Sequence, residues 1–306
     1  MPPQFNLAFG AGLDKDATPP FLMVPHLRVR TMLLHYSNGE MVRSDNKNVV
    51  TIEEKDKNTW ASFLTRPTGK PTPNHLIPSS LPARTFEITG ANLGPPANIE
   101  VADPKSGTFI KRLEVSVKPQ KTLEITFHFV EDIGGNKTTR NTGFVNFLIS
   151  ALDSIYESST NIVFHNRSAA PLQPNVFLPA FVRERKDADE VRSRSLGEWY
   201  KLVDKSDRGA FFNVFFIPRV KPRKSNDFFP ILETMDANCV CDDDMSVDAV
   251  VSVLSHDIGV SLGCSTTSDP KHKNHLMYES PVDRLNLRRR GDFIPKECVN
   301  IMNPFP

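Results

Sequence analysis

The chain is poor in cysteine. Four residues, Cys239, Cys241, Cys264 and Cys298, are spread over 306 positions, which is no disulfide framework, and they read as free thiols. Charge of one sign is lacking too. The formal net charge is +1, which gives no general electrostatic reason to expect nucleic acid or an anionic membrane as partner. No apolar run reaches the length that spans a bilayer. The opening Met1-Pro2-Pro3-Gln4-Phe5-Asn6 has no basic stretch leading into an apolar one, so no secretory signal is visible. The expectation is a cytoplasmic protein, unless export uses a route not shown or a signal has been removed. No glycine-rich phosphate loop is present.

What is present is an ordinary globular balance, 39% hydrophobic and 24% charged residues, with enough apolar material for a core. At this length two domains are expected, because single cores stop growing at about 250–300 residues. Residues 1–20, rich in Gly and Pro, read as a flexible tail. From Leu27 onward the pattern is of short strands. Leu27–Leu34 alternates, Val49–Ile52 is β-branched, and Thr85–Gly90, Asn98–Val101, Arg112–Val117 and Thr122–Val130 follow with turn residues between them. Such spacing predicts a β-sandwich, immunoglobulin-like, over 21–124. Helical periodicity begins after Thr142, where Phe144, Val145, Leu148, Leu152, Ile155 and Tyr156 make one stripe. Phe211–Ile217 is a β-prone run stopped by Pro218.

Residues 244–263 carry the most informative pattern. Val247, Val250, Val251, Leu254 and Ile258 recur at helical spacing, Asp244 or Ser246 can cap the helix, and Gly263 stands where a left-handed terminating residue belongs. With Asn274-His275-Leu276-Met277-Tyr278 downstream, this segment resembles the active-site helix and Met-containing turn of the metzincin zinc metallopeptidases. Their motif is H-E-x-x-H-x-x-G-x-x-H: two histidines four apart share a helix face, and a glycine turns the chain to bring in a third. In register, His256 falls on the first ligand and Gly263 on the glycine. Asp257 replaces the glutamate that acts as general base, Val260 the second histidine and Thr266 the third. Met277 and Tyr278 fall on the turn beneath the metal.

The resemblance implies an α+β multidomain chain. An N-terminal all-β sandwich is followed over 125–306 by a zincin-like α/β metallopeptidase fold, closed by a helix at Phe293–Met302. It implies zinc as cofactor if the protein is active. Valine cannot bind zinc and a protonated threonine hydroxyl binds it poorly, so the site is degenerate and a catalytically inactive homologue is expected, binding a peptide or protein along an edge strand near 211–217. The alternative is an active zinc endopeptidase with rearranged ligands. His256, with His272 and His275 and with Asp257, Cys264 or Asp269, would supply them. A third possibility is a structural module in which the β domain does the binding.

Other patterns read as ordinary structure. Cys239-Val240-Cys241 ahead of Asp242-Asp243-Asp244 could hold a metal but reads as a buried strand end before helix-capping acids. Arg290-Gly291-Asp292 reads as an exposed turn. Arg219, Lys221, Arg223 and Lys224, and the charged stretch Arg183–Arg194, read as solvated segments. The sequons at Asn136 and Asn166 carry little weight without secretion. His128 reads as a strand residue and not a ligand. Ser255-His256-Asp257 has triad residue types, but neighbours on a helix point apart.

Overall fold

The computed structural model describes residues 3–7, 12–35, 39–55, 83–174, 200–218, 232–235, 237–269, 272, 275–278 and 293–304. The charged stretch at 183–194, the basic cluster at 219–224 and the Arg-Gly-Asp triplet lie outside them. The chain forms two compact units. The first comprises Met1–Lys121, Ile155–Ile162 and Phe293–Pro306, and the second Thr122–Ser154 and Val163–Asp292.

In the first unit the strands are β1 (Gln4–Leu7), β2 (Leu13–Asp14), β3 (Phe21–Pro25), β4 (Val29–His35), β5 (Met41–Ser44), β6 (Val50–Lys55), β7 (Ala83–Gly90), β8 (Ala97–Ala102) and β9 (Phe109–Lys118). They make a four-stranded sheet ordered β1-β4-β7-β6 and a five-stranded sheet ordered β2-β3-β9-β8-β5. One core joins them. Phe5, Met32, Leu34, Phe86 and Ile88 come from the first sheet, and Leu22, Val24, Ile99, Val115 and Val117 from the second. The alternation in β8 and β9 places every second side chain on that inner face.

The second unit is built on β10 (Lys121–Val130), α1 (Thr142–Thr160, whose last turns pack in the first unit), β11 (Ile162–Leu172), β12 (Phe212–Ile217), β13 (Leu232–Met235), β14 (Asn238–Asp242) and α2 (Val247–Ser261). Its sheet order is β11-β10-β12-β14-β13. β12 runs parallel to both β10 and β14, and β13 is antiparallel to β14. One face of the sheet carries Val130, Phe215, Ile217 and Val240, packed with Leu202. On the other, the Phe216 ring lies 6.0 Å from Phe127 and 5.9 Å from Phe129, and Phe144 of α1 meets it edge-on at 5.4 Å. Both faces are covered, which is why all six residues of β12 are buried and why the segment reads as a continuous apolar run.

Several expectations are corrected. The zincin-like α/β architecture is not what forms. Among the described residues strand accounts for 44% and helix for 22%, with three sheets, and only α1 and α2 are long helices. A local helix-and-turn pattern does not dictate the architecture around it. The expected tail at 1–20 contributes β1, paired with β4, and β2, paired with β3. The strand near 211–217 is not an edge: it lies inside the sheet, and β13 is an edge instead. The terminal helix α3 (Lys296–Met302) belongs to the first unit, where the Lys296 amide donates to Asp14 at 3.0 Å and its ammonium pairs with Glu114 at 2.7 Å.

Candidate functional site

α2 and the loop after it form the candidate site. The helix starts at Ser246, whose hydroxyl accepts the Ala249 amide at 3.2 Å, satisfying one of the donors that the first turn leaves unpaired. It ends in a left-handed glycine turn. Gly263 has φ +99°, its amide bonds the Val260 carbonyl at 2.8 Å, and the Cys264 amide bonds the Gly259 carbonyl at 3.0 Å. This pair of bonds closes helices on a glycine that a side chain would strain.

The reversed chain then folds back on the helix. The Thr267 amide donates to the Met277 carbonyl at 2.9 Å, Tyr278 to His275 at 3.1 Å and His275 to His272 at 2.8 Å. Leu276 and Met277 are buried, at 3% and 1% exposure. Here the helix and turn meet: Nδ1 of His256 lies 3.0 Å from the Leu276 carbonyl oxygen. A carbonyl only accepts, so Nδ1 carries a proton in this contact. The ring is 7% exposed. The geometry is that of a buried imidazole oriented through one of its nitrogens.

The other ligand positions supply no partners for it. Val260, one turn along the same helix face, is 44% exposed and presents only methyl groups. Thr266 is exposed. The His272 and His275 rings stack at 4.5 Å with 10° between planes, and His272 Nδ1 lies 3.4 Å from the Thr267 hydroxyl. Among the described residues no group of three or more His, Cys, Asp and Glu side chains is placed to hold a metal. The donor set around His256 therefore does not fit a zinc site of three protein ligands. The Ser255 hydroxyl donates to the Ser252 carbonyl at 3.0 Å.

Two polar clusters escaped sequence reasoning. The sequence offers Asp243 as one of three acids ahead of a helix start. Its carboxylate instead accepts the Thr138 hydroxyl at 2.5 Å and the Thr139 amide at 2.6 Å. It also faces Arg140 Nε at 3.7 Å. Arg140 in turn donates to the carbonyls of Asp243 at 3.0 Å and Met245 at 2.5 Å and lies 4.2 Å over the Phe144 ring. This clasp ties the segment entering α1 to the segment entering α2, and no spacing in the sequence announces it. In the second cluster, His128 Nε2 donates to Asn213 Oδ1 at 3.1 Å and the ring stacks on Phe215 at 4.4 Å. Burial pushes this imidazole below its ordinary pKa, against the Asn213 hydrogen bond and the Asp207 charge. Asp207 is held below the usual carboxylate range by the Gly209 amide first, then by Thr126 and Arg167.

No protein-family model matches the chain, and no curated protein does. Among solved structures it is similar to one described as the structure of a chaperone–substrate complex, at 10% identity and a TM-score of 0.35, over 72% of this chain and 37% of that one. It is also similar to a carbohydrate acetylesterase from Xanthomonas citri, at 8% identity and a TM-score of 0.17, over 70% of this chain and 51% of that one. The chain thus spans about a third to a half of those chains' length, and neither similarity is close enough to bear on fold or function. Among the described residues no helix is long and apolar enough to cross a membrane.

Proposed function

We propose that this is a metallopeptidase-like protein in which the zinc site is degenerate and catalysis is lost, and that it binds a peptide or protein partner. The observation that carries the reading is the hydrogen bond from His256 to the Leu276 carbonyl. It seats the histidine on the Leu-Met-Tyr turn, while the next position on the same helix face is a valine. The resemblance is confined to this unit and does not extend to the family's architecture. For the partner, the second unit offers the edge of β13, which pairs with β14 on one side only among the described residues. An extended peptide recognises such an edge through its own backbone N–H and C=O groups.

The test is zinc content after exposure to zinc and exhaustive dialysis, for the natural chain and for the triple variant Asp257→Glu, Val260→His, Thr266→His. The expected result is no retained zinc in the natural chain and close to one ion per folded chain in the variant. A folded variant without zinc would refute the assignment of ligand positions. Stoichiometric zinc in the natural chain would show that other ligands have been recruited, and peptide hydrolysis would then be the activity to measure.

A further inference from the structure

Residues 200–211, which lead into β12, lie across one face of the second unit's sheet. The helical turn at 200–203 packs Leu202 with Val130, Phe215, Ile217 and Val240. Polar groups fix the far end. The Asp207 carboxylate accepts the Thr126 hydroxyl at 3.0 Å, and the Asp207 amide and carbonyl bond the Asn213 side chain at 2.9 and 3.3 Å. The Ser206 hydroxyl donates to Asn238 at 2.6 Å. A strand face repeats every second residue, so the anchors at Thr126 and Val130 bracket His128 on β10, and those at Asn213 and Ile217 bracket Phe215 on β12. The stacked His128 and Phe215 rings therefore lie beneath this strap.

Among the described residues, His128 is the group under the strap whose charge changes near neutrality. It is 8% exposed, and its Nε2 donates to Asn213 Oδ1. A second proton, on Nδ1, leaves that bond in place. Its cost is a charge in a buried, largely apolar place. Counter-charge is scarce there. The Asp207 carboxylate faces the ring from the strap, but Thr126, the Gly209 amide and Arg167 already engage it. Arg167 of β11 is paired with both Asp207 and Glu124 of β10. Asn213 and Phe215 of β12 and Asn238 of β14 are neutral. His165, two residues before Arg167, is exposed, as are Lys201, Asp204, Lys205 and Arg208 of the strap. Burial accordingly holds His128 below its ordinary pKa. Lifting the strap gives the imidazolium water, so protonation favours the lifted state. Closure is complete above about pH 6.5 and weakens as pH falls through the lower folded value. Asp207 is itself held low, by the Gly209 amide first, and stays ionised across this window.

We propose that residues 200–211 form an acid-released strap with His128 as its proton sensor: below neutral pH the strap lifts and bares Phe215, Ile217 and Val240 while the sheet stays paired. Leu202 is its one buried apolar side chain, and the other anchors are polar groups that water can replace. Such a segment opens at lower cost than the strand ladder it covers. The inference is independent of the metallopeptidase reading.

Hydrogen–deuterium exchange of the full chain, read by mass spectrometry at about pH 7 and about pH 5 and corrected for the intrinsic pH dependence of exchange, tests this. Within 200–211 the Asp207 amide bonds Asn213 and the Phe211 amide bonds the Glu124 carbonyl. Protection there should fall about threefold or more in acid, while β12 and β14 keep theirs. His128→Gln, which keeps a donor for Asn213, should show no such fall, and His165→Gln should behave as the natural chain. Unchanged protection, a fall shared equally by β12 and β14, or the same fall in His128→Gln would overturn the proposal. The first two outcomes are read on the natural chain, so the test stands even if the His128 variant does not fold.

Discussion

Replacing Asp243 by alanine should loosen the entrances of α1 and α2 together. The Asp243 side chain is 8% exposed and that of Arg140 14%, so little solvent is at hand to replace what is lost. The substitution strands the Thr139 amide and the Thr138 hydroxyl, both now bonded to the carboxylate, and leaves Arg140 without its counter-charge. Breaking a buried pair on one side costs about 3–5 kcal/mol. Here the lower end applies. The Nε-to-carboxylate distance of 3.7 Å is too long for a hydrogen bond, and the guanidinium keeps the carbonyls of Asp243 and Met245 and the Phe144 ring. We expect a loss of about 3 kcal/mol, or about 6–12 °C in melting temperature at 2–4 °C per kcal/mol. Asp243→Asn keeps an acceptor for one of the two donors and should lose about half as much. Urea unfolding followed by circular dichroism measures both variants. A loss below about 1 kcal/mol for the alanine variant, the range of exposed ion pairs, would show that the clasp does not hold the two helix starts.

Acid should weaken the protein through His128. Burial lowers its folded pKa, so the ring stays neutral in the fold and gains a proton on unfolding. The stabilisation is complete above the unfolded value of about 6.5 and is lost as pH falls from there through the lower folded value. His35 acts in the same sense, its pKa lowered by burial and by Lys15. His128→Gln, whose amide can still donate to Asn213, should flatten the dependence of melting temperature on pH between 7 and 5; an unchanged slope would place the sensitivity elsewhere. Gly263→Ala forces a side chain onto a backbone at φ +99° and should cost about 1–3 kcal/mol by chemical denaturation, while a neutral result would mean that the turn relaxes freely.

Local elements were readable wherever a single periodicity dominates. The stripe from Phe144 to Tyr156 lies inside α1, the valine pattern from Val247 gives α2, and the glycine after it ends the helix as its freedom at positive φ allows. Sheet position was harder. Phe211–Ile217 reads as a strand, but not as an interior one, although a run with no polar alternation argues for cover on both faces. The N-terminal strands were missed because β1 and β2 are short and flanked by glycine and proline, and they gain order from partners far along the chain. At the candidate site, motif spacing singles out His256, Gly263 and Met277. It did not show that His272 and His275 stack on each other, since ring contact in a loop follows from closure that no sequence period encodes. The role of Asp243 is not legible in the sequence, because an acidic run before a helix suits the helix dipole equally well.

The interior position of β12 bears on how the chain is made. Synthesis delivers Phe212–Ile217 after β10 but before β14, its neighbour on the other side. Until β14 emerges, a phenylalanine-rich strand presents an unsatisfied edge, in a composition of high β-propensity and no charge that favours pairing between chains. At about 5–20 residues per second, the interval before Asn238–Asp242 arrives lasts about one to five seconds. The segment that holds the finished sheet together is thus the one through which half-made copies would join one another.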